Sequence, residues 1–275
     1  MKLQLTVFEA GRTSDRYWRD LWASRQLIWI LALRDISIRY KQSVLGVSWA
    51  LVRPLVTVAV FTIVFEKFAR LPSDVNMPYS LMVLAGIVPW VLFSTSLPDI
   101  ANSLTSNVNL IEKAFFPRLV LPISSLSNAI LEFLICTVLL LGLMLVYGVA
   151  FNWTLALLPL FAALALFSSV GAGLWCAAVN VRYRDIRFVV PFVIQAGLYI
   201  TPIGFSSQVV PDQWKPILYL NPMAAVVDGF RWGINGGLSP LYWPGFFTST
   251  LISGVLLYVG MHYFRKTERT FADFI

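Results

Sequence analysis

Long apolar segments dominate the pattern of hydrophobic and polar positions along this chain. A helix needs about 20 apolar residues to cross a membrane, and the uncharged run over 133–181 is long enough for two such helices. Turn and interfacial residues at 147–153 divide that run. The pattern therefore predicts an all-α integral membrane protein with six transmembrane helices, over residues 44–65, 77–97, 119–146, 155–179, 188–210 and 243–264.

An amphipathic helix is predicted over residues 29–47, ahead of the first span. Its apolar residues recur every three or four positions and share one helical face, while charged residues occupy the other. The apolar face comprises Trp29, Leu33, Ile36, Tyr40, Val44 and Val47. We expect this helix to lie in the membrane interface; the alternative is an ordinary cytoplasmic helix packed on the protein. Residues 1–43 then form the cytoplasmic N-terminus with this helix, 44–264 the transmembrane domain and 265–275 a cytoplasmic tail.

The segment over 211–240 combines prolines and glycines with many aromatic and aliphatic residues. It is too apolar for a free loop and too often interrupted for a full span. Irregular backbone at membrane depth has to be buried in protein. We therefore expect short re-entrant or interfacial helices between spans five and six, on the outer side of the membrane.

Composition and charge agree with a membrane protein and orient it. Hydrophobic residues make up 58% of the chain and charged residues only 13%, against about 25% charged in soluble domains. The net charge is +7, and 17 of the 21 basic residues fall on the side that holds both termini in a six-span topology. Basic residues concentrate in cytoplasmic loops, so both termini are expected in the cytoplasm. Cys136 and Cys176 lie in apolar segments and are expected as core residues.

Catalytic chemistry is not indicated. The chain has one histidine, His262, and lacks a Gly-Lys dipeptide, so it has no phosphate-binding loop of the GxxxxGK[ST] type. No catalytic or metal site is predicted, and an ATPase, if one drives this protein, must be another chain. Glu132 lies within the third span, where an ionised carboxylate needs a partner, a cavity or a proton. Asp99, near the end of the second span, is expected to cap a helix or pair with basic residues.

Five short sequence motifs, found in the same order along the chain, give it a family resemblance. They are residues 39–46 with Trp49 and Pro54; 109–113 with Phe116-Pro117 and Leu121-Pro122; 180–186 (Asn-Val-Arg-Tyr-Arg-Asp-Ile); 201–203 (Thr-Pro-Ile); and Asn221-Pro222. From about Trp29 to the C-terminus the chain resembles the permease subunit of type-2 ABC exporters for bacterial surface polysaccharide. It is most similar to the O-antigen exporters.

The resemblance implies a fold, a substrate and partners. Such permeases form homodimers of six-span subunits in the bacterial inner membrane and pair with two copies of a separate ATPase, which holds ATP and Mg. The resemblance implies no cofactor in this chain. The substrate is a polyprenyl-diphosphate-linked polysaccharide, moved from the inner to the outer face. Alternatives are export of capsule or teichoic-acid polymer, export of a drug or small lipid by the same architecture, and an intramembrane enzyme acting on polyprenyl lipids.

Three sets of site residues follow. The resemblance implies that two cytoplasmic loops contact the ATPase, through Glu112, Lys113, Phe116, Arg182, Arg184 and Asp185. The diphosphate needs cations near the inner interface, and the candidates are Arg39, Lys41, Arg53 and Arg118. Aromatic faces suit a sliding sugar chain, and the candidates are Phe61, Phe65, Trp90, Phe93, Tyr199 and Phe205. Each aromatic residue could instead contact lipid or pack in the core. Each basic residue could instead lie there only because basic residues concentrate on the cytoplasmic side.

Overall fold

The computed structural model describes residues 17–41, 48–74, 77–268 and 271 of the chain. Over these residues the protein is helical and contains no strand, which confirms the predicted all-α class. The helices are α1 Tyr17–Ala23, α2 Arg25–Lys41, α3 Trp49–Phe61, α4 Tyr79–Asn102, α5 Val108–Lys113, α6 Val120–Val146, α7 Leu158–Arg182, α8 Ile186–Ile200, α9 Lys215–Leu218, α10 Pro222–Ile234 and α11 Trp243–Thr267.

Five helical segments are long and apolar enough to cross a membrane. They are Trp49–Phe68 (α3 with its π-helical continuation), Tyr79–Asn102, Val120–Val146, Trp153–Arg182 and Trp243–Thr267. Each has at least 20 residues, which at 1.5 Å per residue spans about 30 Å. These segments coincide with the predicted spans one to four and six. Residues 44–47, where the first span was predicted to begin, lie outside the described residues.

The predicted fifth span is wrong in its extent. Helix α8 has 15 residues and ends at Ile200, not at Val210. Its length is about 22 Å, short of the hydrocarbon thickness of about 30 Å. Pro202 explains the end, because a proline disfavours helical geometry in the preceding residue, and Thr201 is indeed extended with ψ 139°. A crossing by this shorter helix, and with it the count of six, stays a prediction.

Helix α2 contains residues 29–41 of the predicted amphipathic helix. The rest of that prediction, residues 42–47, lies outside the described residues. Trp29 on the predicted apolar face points away from the rest of the chain and is 66% exposed. Tyr40, predicted on the same face, instead bonds to Glu132. The side of α2 that packs on the bundle holds the buried Leu31, together with Arg34 and Arg39, which bond to Asn107 and Asp99. The predicted apolar face is therefore only partly uncovered.

The segment before α11 forms short helices, as its composition predicted; they are α9 and α10. Helix α10 begins at Pro222, with the Asn221 side chain accepting a hydrogen bond from the Met223 backbone N–H at 3.0 Å. It ends before Gly236 and Gly237, both with positive φ, a conformation that glycine adopts without strain. Most of α10 is buried, and it packs on α4, α7 and α11. Entry of these helices into the membrane stays a prediction.

Helix α4 lies at the centre of the bundle and packs on α3, α6, α7, α8 and α10. Helix α11 joins through close backbone contact with α7. A Cβ atom at Gly260 would overlap the Gly171 carbonyl, and the Ser168 and Ser253 hydroxyls meet at 2.8 Å. Small residues allow such an approach between membrane helices.

Two contacts define one end of the bundle, which we call the basic end. Asn180 near the C-terminus of α7 donates to the Ala101 carbonyl near the C-terminus of α4 at 2.9 Å. Tyr17 of α1 donates to Glu268, just after α11, at 3.0 Å. The basic end thus holds α1, α2, α5, the α7–α8 connection and the last turn of α11, and most of the basic residues with them. Helices α9 and α10 lie toward the opposite end.

Candidate functional site

A polar stripe on α6 faces the interior of the bundle near the basic end. Ser125, Asn128 and Glu132 recur at intervals of three and four residues, so they share one helical face, and all three are buried. Further along, the same face continues with Cys136 and Leu140, which are apolar. The polar part of this stripe is the centre of the candidate site.

Glu132 is the most heavily partnered side chain of that stripe. Thr95 of α4 donates to one carboxylate oxygen at 2.9 Å, and Arg39 of α2 approaches the other at 3.2 Å. Tyr40 donates to the same oxygen as Arg39, at 3.4 Å. Arg39 also donates to Asp99 at 3.0 Å. These five side chains, which we call the Glu132 cluster, join α2, α4 and α6.

Glu132 and Asp99 share one basic partner, the guanidinium of Arg39. A buried carboxylate needs such a partner, so the ion pairs explain how both charges are accommodated. Burial, followed by the negative charge of Glu132, raises the pKa of Tyr40. Tyr40 is therefore held in its neutral form as a hydrogen-bond donor.

The four diphosphate candidates lie at the basic end in different settings. Arg39 is already shared between two carboxylates. Lys41 and Arg53 are exposed. Arg118 is half-buried, donates to the Ala114 carbonyl at 3.1 Å, and lies over the Phe116 ring. Diphosphate binding by any of them stays a prediction.

The six coupling candidates lie in two loops that the structure brings to the basic end. Glu112 and Lys113 end α5 and are exposed, as are Arg182, Arg184 and Asp185 at the α7–α8 connection. Phe116 is only half-buried under Arg118, whereas its neighbour Phe115 is 80% exposed. Phe115 is thus a surface aromatic next to a coupling candidate. A coupling role for these residues stays a prediction.

A link that the sequence did not indicate joins the connection after α5 to α1 and to the end of α11. The Glu268 carboxylate accepts from the Tyr17 hydroxyl at 3.0 Å and from the Arg118 backbone N–H at 2.8 Å. The Arg265 guanidinium lies 4.7 Å from the centre of the Tyr17 ring. Burial is the main reason that the pKa of Glu268 and that of Tyr17 are both raised.

The aromatic candidates form two pairs against α8 and its continuation. Phe61 and Phe65 meet edge to face with centroids 5.4 Å apart and pack on Gly204. The Trp90 and Phe93 rings lie 5.5 Å apart. Trp90 packs on Gly197 of α8. Of the remaining two, Phe205 is half-buried and Tyr199 points outward. A glycan path along these rings stays a prediction.

A second buried polar network lies toward the opposite end, around Arg231 of α10, and sequence reasoning missed it. Arg231 is 1% exposed and donates to the carbonyls of Ile203 and Phe205 at 2.9 and 3.0 Å. It also forms ion pairs with Asp74 at 3.7 Å and Asp228 at 3.9 Å. Its guanidinium therefore satisfies two carbonyls of the non-helical segment that follows α8. The only sequence signal was the Asp228–Arg231 spacing.

Within the described ranges, no group of three or more His, Cys, Asp or Glu side chains is placed to hold a metal ion. The two buried networks are instead made of ion pairs and hydrogen bonds between helices.

Comparison with known proteins places the chain among transporters. Residues 26–235 match a family described as ABC-2 type transporter. The chain is similar to the O-antigen export system permease protein RfbA of Klebsiella pneumoniae, with 28% identity over 90% of this chain and 95% of the relative. A permease of the same name from Myxococcus xanthus is 27% identical over 94% of this chain and 98% of the relative. The polysialic acid transport protein KpsM of Escherichia coli is 29% identical over 83% and 90%, respectively.

Proposed function

Because this chain belongs to the ABC-2 type transporter family, we propose that it is the permease subunit of an ATP-driven exporter of lipid-linked polysaccharide. The cargo is a polyprenyl-diphosphate-linked glycan of the O-antigen type, moved from the inner to the outer face of the bacterial inner membrane. The observation that carries the proposal is similarity to O-antigen export permeases over nearly the full length of both chains.

The energy source is a separate ATPase, present in two copies. This chain has no phosphate-binding loop, so nucleotide and Mg belong to the partner. The basic end offers a surface for it, because two connections there expose charged residues and the first also exposes the ring of Phe115. Charged rims with an aromatic anchor are typical of protein interfaces.

The glycan path lies between two copies of the chain. The core of one copy, between α4, α6, α7 and α10, is filled with apolar side chains, and a close-packed core has no room for a polar polymer. A polar glycan needs a water-lined route across the hydrocarbon region. Two copies facing each other supply one at their interface, and the uncovered aromatic face of α8, with Phe192 and Tyr199, is available to line it.

The basic end faces the cytoplasm. It collects most of the arginines and lysines of the chain, whereas Lys67, Arg70, Lys215 and Arg231 lie elsewhere. This asymmetry is the positive-inside pattern. It supports a location of both termini, the coupling loops and the diphosphate candidates on the side where ATP and newly made glycan are found.

Deletion of the chain from its bacterium tests the function. We expect surface glycan to disappear and to return with the wild-type chain, and the affinity-purified chain to carry an ATPase subunit. Unchanged surface glycan after deletion would contradict the proposal. Loss of a capsule with O-antigen intact would instead favour the capsule alternative, which the similarity to the polysialic acid transport protein supports. Altered drug sensitivity with both polymers intact would indicate a small-molecule exporter.

A further inference from the structure

A polar cavity of about 570 Å³ lies beneath α2 at the basic end. Small-molecule sites occupy about 300–1,000 Å³. Hydroxyl and amide side chains from α4, α6 and the connection after α4 line it beside the Glu132 cluster, among them Asn102, Ser103, Ser106, Asn107, Ser125 and Asn128.

Asn128 is the buried group that points to a ligand. It lines this cavity and is 8% exposed. Its side chain lies against Asp99, yet in the part of the chain that the structure describes its amide carbonyl oxygen has no hydrogen-bond partner. A buried acceptor left without a donor is costly. A ligand hydroxyl that reaches this buried oxygen from the cavity would supply that donor.

The charges around the cavity select against an anion. Arg34 is paired with Asp35 at 2.7 Å, and Arg39 with Asp99 at 3.0 Å. Arg39 is further shared with Glu132. The two arginines in the lining are therefore matched by two carboxylates, and neither is left over for a diphosphate. Carboxylate, amide and hydroxyl groups together both accept and donate hydrogen bonds, which matches the hydroxyls of a neutral sugar.

We propose that the cavity lined by Asn128, Asp99 and Asn107 binds a neutral sugar unit of the exported glycan at the basic end. This inference rests on the proposed function. It assigns the sugar and the diphosphate to different places, with the diphosphate outside this cavity. Asn128 contacts the sugar directly, and Arg39 positions Asp99 through its ion pair.

Export by an Asn128→Leu variant tests the proposal in cells. We expect surface glycan to fall about three- to tenfold, the effect of losing one hydrogen bond to the ligand. Thr137→Val is the matched control, because its hydroxyl bonds only to the Phe133 carbonyl of the same helix, outside the cavity, and export should persist. Equal membrane levels and equal copurified ATPase confirm that Asn128→Leu folds.

The outcomes separate the two proposals. If the wild-type chain does not restore surface glycan in the deletion strain, the proposed function fails. If the wild type restores it and Asn128→Leu, correctly folded, restores it equally, the sugar site alone is overturned.

Cysteine protection tests occupancy directly. Ser106→Cys places a thiol at the exposed rim of the cavity, in a Cys176→Ser background, because Cys176 is half-buried and Cys136 is buried. Membranes that contain the permease, its ATPase and the cell's own lipid-linked glycan are treated with a maleimide. Membranes from cells blocked in the first sugar transfer provide the comparison.

We expect the glycan to slow labelling at least about twofold, which corresponds to half occupancy. Asn128→Leu should abolish the protection, and millimolar inorganic pyrophosphate added to glycan-free membranes should not reproduce it. Protection by pyrophosphate would show an anion site, and equal labelling with and without glycan would show a cavity that holds water only. Either result overturns the proposal.

Discussion

Replacing Arg231 with methionine should strongly destabilise the protein. Methionine keeps much of the length of the side chain but removes the charge and its N–H donors. The carbonyls of Ile203 and Phe205 then lose their donors. Asp74 and Asp228, both buried, lose the cation between them.

The buried carboxylates set the size of the effect. Removing one partner of a buried ion pair costs about 3–5 kcal/mol, because the other charge stays buried and unpaired. At about 2–4 °C per kcal/mol, the apparent melting temperature should fall by roughly 6–20 °C. Lys215→Met provides a matched control. Lys215 also pairs with an aspartate, at 2.6 Å, but the side chain of Asp212 is 93% exposed, and an exposed pair contributes about 0–1 kcal/mol.

The assay is thermal unfolding of the detergent-purified permease, followed by the loss of its monodisperse peak on size-exclusion chromatography. Adding Asp228→Asn to Arg231→Met should recover part of the loss, because it removes one of the two unpaired charges. Equal shifts for Arg231→Met and Lys215→Met would refute the reasoning. Failure of Asp228→Asn to recover any stability would show that the carboxylates are not the source of the cost.

Three further predictions follow from other contacts. Gly260→Ala should cost about 1–3 kcal/mol by forcing α7 and α11 apart, whereas Gly254→Ala, whose added Cβ meets nothing within 4 Å, should leave the melting temperature unchanged or slightly higher; equal effects would contradict the close approach. Burial raises the pKa of Glu268, so its contribution to stability is fully present below the unfolded pKa of about 4.3 and is lost as pH rises through the folded pKa. Melting temperatures measured from pH 4 to 8 should therefore fall more for the wild type than for Glu268→Gln, and parallel curves would contradict the assignment. Reversing the charges of Glu112 and Lys113 should abolish surface glycan with membrane insertion intact, measured by protease accessibility and glycan gels; full export would remove this loop from the coupling role.

Much of the fold could be predicted from the sequence because the hydrocarbon core of the membrane constrains the composition of every helix that crosses it. A spanning helix has to be apolar along its whole length, so the segments that became α4, α6, α7 and α11 are visible without knowledge of their neighbours. The end of α8 was missed although Pro202 was present, since the apolar run continues past the proline. Pro202, Ile203 and Gly204 are buried in the protein, so the apolar run continues there because it packs inside and not because it continues the helix.

The candidate site was predicted less completely. Glu132 stood out as a lone carboxylate inside a span, and a partner, a cavity or a proton was expected for it on energetic grounds. Nothing in the sequence paired it with Arg39, which lies 93 positions away. The sequence named Arg39 only as a diphosphate candidate, because a basic residue near a membrane boundary has the same pattern whether it binds a ligand or a carboxylate.

The sequence by itself determined the class of this protein, the position of most of its membrane helices and the concentration of positive charge on one side. These properties depend on the free energy of transfer of each segment from water to hydrocarbon, and that free energy depends on the composition of the segment alone. Only the tertiary structure decided which polar groups are neutralised and which remain available. Ion pairs such as Arg231–Asp74 and acceptors such as the Asn128 carbonyl depend on distances of a few ångströms between segments far apart in the chain, and hydropathy contains no information about those distances.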